Sequence, residues 1–204
     1  MAAFRLVVIT PACPTTPQEL DTAQRLFRAG LPTLHVRKPG ASAEQVAAYL
    51  AALPPEHRRR TMLHQHHELA RTTSIGGIHY READRPPGVV KAPPGLAVST
   101  SFHTLPDLGV CRGELDYCFL SPIYSSISKA DYPANPAFAD RDELAAGLAG
   151  SRYPVLALGG VTPDKFPELQ ELGFAGAALL GGIWQADDPV AAWEAAAQAA
   201  ARLG

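Results

Sequence analysis

The amino-acid sequence predicts an α/β protein and, within that class, a single small (β/α)8 barrel, the TIM barrel, spanning residues 1–204. Short apolar runs, roughly eight in number, alternate along the chain with helical patterns, which indicates a parallel sheet. The last two runs, Val155–Leu158 and Ala177–Leu180, are unbroken, as in strands that helices cover on both faces. An open, doubly wound sheet is the alternative, but no GxGxxG sequence follows the first strand.

The predicted strands also define where chemistry is expected. In a barrel of this kind, the residues at the carboxyl ends of all strands meet in one shared site. The predicted strands are Phe4–Thr10, Thr33–Arg37, Thr61–His64, Gly77–Tyr80, Leu96–Ser99, Asp116–Leu120, Val155–Leu158 and Ala177–Leu180.

Capping sequences mark several helix boundaries. Thr16–Glu19 and Ser42–Gln45 are capping boxes, which predict helices that run to about Ala29 and about Leu53. Thr162 is predicted to cap a helix that has Pro163 in its first position. Further helical segments are His67–Thr72, a weak helix near Leu105, Asp140–Leu148, and Asp188 to about Arg202, whereas Glu56–Arg60, Arg81–Gly95 and Ser121–Pro136 are predicted as connectors or loops.

Composition argues against several classes of protein. The chain has 18 basic and 20 acidic residues, a net charge of −2, so no global basic field points to nucleic acid. Its three cysteines form no CxxC pair, which argues against a disulfide framework and predicts a cytoplasmic location. No apolar run suits a membrane span or a secretory leader. A homo-oligomer is compatible with the sequence, which does not define one.

Glycine pairs follow the last two predicted strands. Gly159–Gly160 ends the seventh strand, and Gly181–Gly182 follows Leu180 at the end of the eighth. Glycine lets backbone N–H groups approach a ligand closely, and the loops after the last two strands of such a barrel are the usual phosphate site. Plain tight turns would need the same residues. We predict a phosphate cradle at this side of the barrel.

Cations and hydroxyl groups gather at other strand ends, which suits a phosphorylated, anionic substrate. The pair Arg37–Lys38 is also compatible with a solvated turn, and Lys129 belongs either to a surface loop or to an anion clamp. The residues concerned are Arg37, Lys38, Arg81, Ser101, Ser126, Ser128 and Lys129.

Three histidines after the third strand resemble a metal cluster. They are His64, His66 and His67. Because residues in an H-x-H-H run at a strand end point in different directions, ordinary polar roles in the loop are favoured over a zinc site.

Other histidines have two interpretations each. His35 and His79 lie inside predicted strands, where an interior, hydrogen-bonded role is the simple explanation, although His35 shares a strand face with Arg37. His103 follows the fifth strand in a Ser-Thr-Ser-Phe-His segment. Its imidazole is suited to proton transfer near neutral pH, or it is a loop histidine in water.

Taken in order, these motifs resemble the thiamine phosphate synthase family and its relative, the TenI-type thiazole tautomerase, over nearly the whole chain. His35–Lys38 resembles the family sequence Q-L-R-x-K, and Ser99–His103 resembles G-x-S-x-H. Gly77–Tyr80, with Asp84 beyond it, resembles G-V-H-L followed by an acidic metal ligand.

The second half of the chain continues the resemblance. Asp116–Tyr117 and Ser121–Lys129 resemble D-Y-x-x-x-G-P-[VI]-[FY]-x-T-x-T-K, with serines in place of the threonines. Ala157–Val161 resembles A-I-G-G-I, and the last glycine pair falls where the family holds a thiazole phosphate. The number, order and spacing of the motifs carry the resemblance, since each motif alone is weak.

The resemblance implies an enzyme of thiamine biosynthesis that joins hydroxymethylpyrimidine diphosphate to thiazole phosphate and releases diphosphate. Small phosphorylated heterocycles are therefore the implied partners, and Mg²⁺ the implied cofactor. The implied roles are catalysis and diphosphate binding by Arg37 and Lys129 with His103, Mg²⁺ ligation by Asp84, and substrate binding by His35, Lys38, His64, Ser101, Ser126, Ser128, Gly159, Gly160, Leu180, Gly181 and Gly182.

Departures from the family pattern keep other functions open. Gln65 stands where the family sequence N-D-R has an aspartate that binds Mg²⁺, and Pro39 occupies the position of the family lysine. A TenI-type tautomerase would aromatise a thiazole carboxylate phosphate by proton transfer at His103 without metal. Asp84 and Lys129 favour the synthase, whereas Gln65 favours the tautomerase. A non-catalytic binder of thiazole phosphate is the third possibility.

Overall fold

The protein forms a closed barrel of eight parallel strands, which confirms the predicted fold. Its structure, a computed structural model, describes residues 3–86, 89–91, 93–127 and 133–203. Each barrel strand pairs with the strands before and after it, and the last strand closes the barrel by pairing with the first. The strands are β1 Arg5–Ile9, β2 Leu34–Val36, β3 Thr61–Leu63, β4 Gly77–Tyr80, β5 Ala97–Phe102, β6 Tyr117–Leu120, β7 Val155–Leu158 and β8 Gly176–Leu179.

Helices and short 3₁₀ turns connect the strands. In the described part of the chain, no helix has the length and apolar character of a membrane span. Outside the barrel, Val89–Val90 pairs in parallel with Arg112–Gly113. The helices are α1 Pro17–Arg28, α2 Ala43–Ala51, α3 Pro55–Arg58, α4 Leu105–Val110, α5 Arg141–Ala149, α6 Phe166–Glu171, α7 Gly181–Trp184 and α8 Pro189–Ala201, and the 3₁₀ turns are His67–Arg71, Glu82–Asp84, Pro136–Phe138 and Pro163–Lys165.

Strand β5 extends further than the sequence predicts. It continues past Ser99 to Phe102, because Ser101 and Phe102 pair with Phe119 and Leu120 of β6. Ser101 is therefore a strand residue whose side chain is directed by the sheet, rather than a residue of the following loop.

One of the two predicted capping boxes is complete. The Ser42 hydroxyl accepts a hydrogen bond from the Gln45 N–H, and the Gln45 side chain returns to the Ser42 N–H. At α1, Thr16 accepts from the Glu19 N–H, but the Glu19 carboxylate pairs with Lys38 instead of returning to the cap. A buried ammonium group needs a counter-charge, and that need outweighs the second capping bond.

Thr162 is the N-cap residue with Pro163 in the first position, as predicted, but its side chain makes no capping hydrogen bond. Pro163–Lys165 forms a 3₁₀ turn without a side-chain cap, and α6 begins only at Phe166. The Thr162 side chain hydrogen-bonds to the Asp164 carboxyl group, which lowers the pKa of that carboxyl. The Thr162 carbonyl accepts from the Lys165 N–H at 3.0 Å and so closes the turn.

Two layers of apolar side chains hold the barrel together. The larger layer lies between the strands and the helices. A second cluster fills the barrel, and full burial of one large apolar side chain contributes about 1.5–3 kcal/mol. The inner cluster consists of Val7, Ile9, Met62, Tyr117, Phe119, Leu156 and Ala178.

Candidate active site

A cavity of about 680 Å³ lies among the residues that end the barrel strands. This volume is in the range of small-molecule sites. The residues of the predicted site that line it are Arg37, His64, Ser101, His103, Ser126, Gly159, Gly160, Leu180 and Gly181.

Four other residues of the predicted site do not line this cavity. His35 is fully buried within the barrel, and Lys38 is buried beside α1. Asp84 pairs with Arg81, and Gly182 lies one residue beyond the lining. The last two members of the predicted site, Ser128 and Lys129, lie outside the described residues.

Glycine conformation shapes one side of the cavity. Gly159 and Gly160 have φ angles of 97° and 61°, in the left-handed region that favours glycine. A Cβ atom on Gly160 would lie 2.1 Å from the carbonyl oxygen of Ser125, so the loop packs directly against the segment after β6. Lys165 donates a hydrogen bond to the Gly160 carbonyl at 2.9 Å and anchors this loop.

The short helix α7 forms the neighbouring part of the same side. It begins directly after β8, and the N–H groups of Gly181 and Gly182 have no partner within the helix because they belong to its first turn. The Trp184 indole donates to the Ile9 carbonyl at 2.8 Å, which ties the helix to the end of β1. Backbone N–H groups in such a position suit an anionic ligand.

Two guanidinium groups, from Arg37 and Arg81, belong to the cavity lining. The backbone of Arg37 is held by Thr10, whose hydroxyl accepts from the Arg37 N–H at 2.9 Å. Burial, and next the charge of Arg81, lower the pKa of Arg37. Arg81 also contacts the Asp84 carboxylate at 2.5 Å. Two neighbouring positive charges favour the binding of a phosphate or diphosphate.

His103 lies at the cavity with one nitrogen fixed. Its Nδ1 atom is 2.8 Å from the Ser121 carbonyl oxygen, and a carbonyl accepts only, so Nδ1 carries the proton. In the neutral ring, Nε2 therefore has the lone pair, and it lies 3.7 Å from the Glu82 carboxylate. This arrangement is suited to accepting a proton and to stabilising the resulting imidazolium.

Arg81 and Glu82 both line the cavity, and of the two the sequence pointed only to Arg81, as one of the cations at the strand ends. Both belong to a proline-rich stretch that reads as an irregular loop. The 3₁₀ turn Glu82–Asp84 accounts for their position, because it brings Glu82 to His103 and Asp84 to Arg81. The sequence signal for these two residues is that Arg81 and Glu82 are charged and directly follow β4, where side chains can reach the shared site.

The Lys38 side chain points into the fold and does not face the cavity, where a diphosphate contact was predicted. Its ammonium group lies 2.5 Å from the Glu19 carboxylate, 3.0 Å from the Pro11 carbonyl and 3.1 Å from the Cys13 carbonyl. An ammonium group has three protons, and these three acceptors use all of them. Gln65 is engaged as well, because its amide bonds both the N–H and the carbonyl of Lys38.

The three histidines after β3 diverge, as the H-x-H-H spacing predicts. The His66 ring bonds the Ala41 carbonyl at 2.8 Å, and the edge of the His67 ring faces Tyr80. His64 turns the other way and meets His35 and His79 at the floor of the cavity.

The fold and the site define a class of protein: a (β/α)8 barrel with a strand-end cavity between guanidinium groups and glycine-rich loops. Within that class, the chain belongs to the family described as thiamine monophosphate synthase, whose model matches residues 6–183. This confirms the resemblance seen in the motifs.

Individual relatives agree with the family match. A thiamine-phosphate synthase of Bacteroides fragilis is 28% identical over 179 residues, covering 84% of this chain and 88% of that protein. A thiamine-phosphate synthase of Bordetella pertussis is 26% identical over 200 residues, which cover 94% of this chain and 92% of that protein. The crystal structure of thiamine phosphate pyrophosphorylase from Bacteroides thetaiotaomicron has a TM-score of 0.77 and 25% identity, covering 97% of this chain and 98% of that one.

Proposed function

We propose that this chain is a thiamine-phosphate synthase, which joins hydroxymethylpyrimidine diphosphate to thiazole phosphate and releases diphosphate. The observation that carries the proposal is a cavity lined both by two guanidinium groups, of Arg37 and Arg81, and by the glycine loops at Gly159–Gly160 and Gly181. Such a lining supports binding of two phosphorylated groups. The names of the relatives support the same reaction.

The reaction breaks one bond and forms another. The C–O bond between the pyrimidine methylene carbon and the diphosphate breaks, and its electron pair leaves with the diphosphate oxygen. The lone pair of the thiazole nitrogen then forms the new C–N bond. Positive charge at Arg37 and Arg81 stabilises the charge that develops on the leaving group. Apolar lining residues, Phe119 and Leu158 among them, keep water from the electron-poor carbon.

The remaining predicted residues take their roles around this chemistry. Ser101, whose hydroxyl is 2.9 Å from His79 Nε2, would contact the pyrimidine diphosphate. Ser126 and the glycine loops would hold the thiazole phosphate. Ser128 and Lys129 stay in the proposal as further ligands of the two phosphorylated groups, with Lys129 at the diphosphate.

Mg²⁺ fits this site through one carboxylate. The ion is commonly held by one or two carboxylates together with substrate phosphates. Asp84 supplies one such group, at present paired with Arg81, whereas the Gln65 amide is bound to the Lys38 backbone and contributes nothing. When bound, Mg²⁺ would neutralise charge on the diphosphate.

The wider setting of the protein follows from the same reaction. Both substrates are small phosphorylated heterocycles, and the proposal needs no nucleic acid and no membrane.

The absence of a CxxC pair supports a cytoplasmic location, and a homo-oligomer is compatible with the reaction. We also propose that residues 1–204 act as one domain, since β1 and β8 come from opposite ends of the chain and pair.

A TenI-type thiazole tautomerase is the second candidate. His103 favours it, because an Nε2 lone pair beside the Glu82 carboxylate suits reversible proton transfer on a thiazole carboxylate phosphate. The phosphate cradle would serve this substrate equally well, so the cradle does not separate the two reactions.

Two assays on the purified protein separate the candidates. A synthase forms thiamine phosphate and diphosphate in equal amounts from both substrates with Mg²⁺, and Lys129→Ala should abolish that reaction. A tautomerase isomerises the thiazole carboxylate phosphate alone, without metal, and depends on His103. If no thiamine phosphate forms under any metal condition, the synthase proposal fails. Saturable thiazole phosphate binding without either turnover would indicate a binder.

A further inference from the structure

Three histidines from successive strands converge at the floor of the cavity. His35 lies in β2, His64 directly follows β3, and His79 lies in β4, with solvent exposures of 0%, 4% and 0%. One ring nitrogen of each lies within 4.8 Å of the corresponding nitrogens of the other two. His35 Nδ1 and His64 Nε2 are 2.9 Å apart. These positions are far apart in sequence, so the barrel alone brings the imidazoles together.

Hydroxyl groups contact two of the three rings in this histidine cluster, which consists of His35, His64 and His79. The Tyr117 hydroxyl lies 2.6 Å from His35 Nε2, and the hydroxyls of Ser99 and Ser101 lie 2.8 Å from His79 Nδ1 and 2.9 Å from His79 Nε2. A histidine that binds metal through one nitrogen commonly donates its other N–H to such a second group, which fixes ring orientation and tautomer. His35 has this arrangement, and His79 reaches it when one of its two hydroxyl partners, Ser99 or Ser101, gives up its ring nitrogen to the ion.

We propose that His35, His64 and His79 bind one zinc ion at the floor of the cavity. Three imidazoles with an open fourth position form a common zinc site in enzymes. Here the fourth position faces the cavity, because His64 and His79 are among its lining residues. Water, or a nitrogen or oxygen atom of a bound heterocycle, would occupy it. The proposed site is separate from Asp84 and does not depend on the synthase reaction.

The protonation state of the histidine cluster suits a metal. Burial lowers the pKa of all three rings, in the case of His79 to about 3, so each is neutral near pH 7. Neutral imidazole is the form that binds zinc. His35 Nδ1 and His64 Nε2 share a hydrogen bond, so one of these two nitrogens now carries a proton. That proton must move to the other nitrogen of its own ring, or leave, before both rings can bind zinc.

Zinc binding requires a small rearrangement of the rings. Zinc–nitrogen bonds of about 2.0–2.1 Å in a tetrahedral site bring the nitrogens to about 3.4 Å from one another. Nitrogens that now lie up to 4.8 Å apart must therefore approach one another, whereas His35 Nδ1 and His64 Nε2, now 2.9 Å apart, must separate by about 0.5 Å. His64 and His79, now stacked with ring centres 4.1 Å apart, would tilt so that both nitrogens face the ion. The positive charge of Arg37 opposes the ion, and an anionic ligand in the cavity would offset that cost.

The first test is zinc binding by the untagged, chelator-treated protein. Equilibrium dialysis followed by elemental analysis is expected to give one zinc per chain, retained in excess Mg²⁺. Titration with Co²⁺ alone is expected to give the visible absorption of a tetrahedral site. A wild-type protein without saturable zinc and without that absorption overturns the proposal.

Variants assign the ion to the histidine cluster. His64→Asn is expected to weaken zinc binding at least about tenfold, whereas the double variant His66→Gln/His67→Gln is expected to keep it. If His64→Asn fails to fold, Tyr117→Phe replaces it and is expected to weaken binding about 10–100-fold. Unchanged affinity in the folded cluster variant, or loss of zinc in the double variant, contradicts the assignment.

Discussion

Lys38 and Glu19 form an ion pair at 2.5 Å in which both side chains are nearly inaccessible, with exposures of 3% and 5%. The pair links the end of β2 to the first turn of α1. Burial raises the pKa of Glu19 while Lys38 acts against that rise. The residue that follows Arg37 is therefore part of the framework behind the cavity, while Arg37 itself lines the cavity.

Removal of one partner of this pair should destabilise the fold. Lys38→Met leaves an uncompensated carboxylate, and we expect a loss of about 3–5 kcal/mol in the free energy of unfolding, measured with urea. The double variant Lys38→Met/Glu19→Leu should recover most of the lost free energy of unfolding, because it leaves no buried charge. The exposed Lys91→Met should change stability by less than about 0.5 kcal/mol. A Lys38→Met variant with wild-type stability and lost diphosphate release would instead assign Lys38 to catalysis.

Arg37 should matter to the reaction far more than to the fold. We expect Arg37→Met to lower the rate of diphosphate release by about 10²–10³-fold, as when one preorganised charge-stabilising group is removed. Arg37→Lys should recover only part of the rate, because an ammonium group lacks the planar guanidinium fork. The exposed Arg25→Met serves as the control. Equal rates for Arg37→Met and Arg25→Met would remove Arg37 from the proposed mechanism.

Gly160→Ala should disrupt the phosphate side of the cavity. The new Cβ atom would lie 2.1 Å from the Ser125 carbonyl, and Gly160 has a φ of 61°. Gly40 has a φ of 83° with nothing near its Cβ position, so Gly40→Ala measures backbone strain alone. We expect Gly160→Ala to cost about 1–3 kcal/mol more than Gly40→Ala in unfolding free energy.

The same substitution should weaken thiazole phosphate binding, measured by calorimetry, whereas Gly40→Ala should leave it unchanged. If Gly160→Ala destabilises the protein but binds thiazole phosphate normally, the Gly159–Gly160 turn is a packing feature and the phosphate lies elsewhere.

Asp84 should set the requirement for Mg²⁺. Asp84→Asn removes the carboxylate proposed to hold the ion, and we expect the Mg²⁺ concentration for half-maximal diphosphate release to rise at least about tenfold. The exposed Asp21→Asn should keep the wild-type Mg²⁺ dependence. An unchanged dependence in Asp84→Asn would mean that substrate phosphates hold the ion without this residue.

Local sequence signals proved reliable where a neighbouring residue decides the structure. The box at Ser42–Gln45 is complete, and Gly77–Tyr80 and Val155–Leu158 are strands with the predicted bounds. Signals failed where a distant residue competes. The Glu19 carboxylate pairs with Lys38 and does not bond the N–H of the helix cap. Strand β5 continues to Phe102 because residues of β6 pair with its last two positions.

The sequence by itself determined the order of strands and helices, the parallel α/β class and the glycine pairs at the last two strand ends, because these features depend on periodicity and on local backbone preferences. It favoured a closed barrel, and the pairing of β1 with β8 decided the closure. Tertiary structure alone decided where side chains point once the chain leaves a strand. Lys38 turns inward to Glu19, Glu82 turns to His103, and His64 turns to His35 and His79. Each of these directions depends on a partner distant in sequence, and charge pairing, burial and hydrogen bonding select that partner only when the barrel closes.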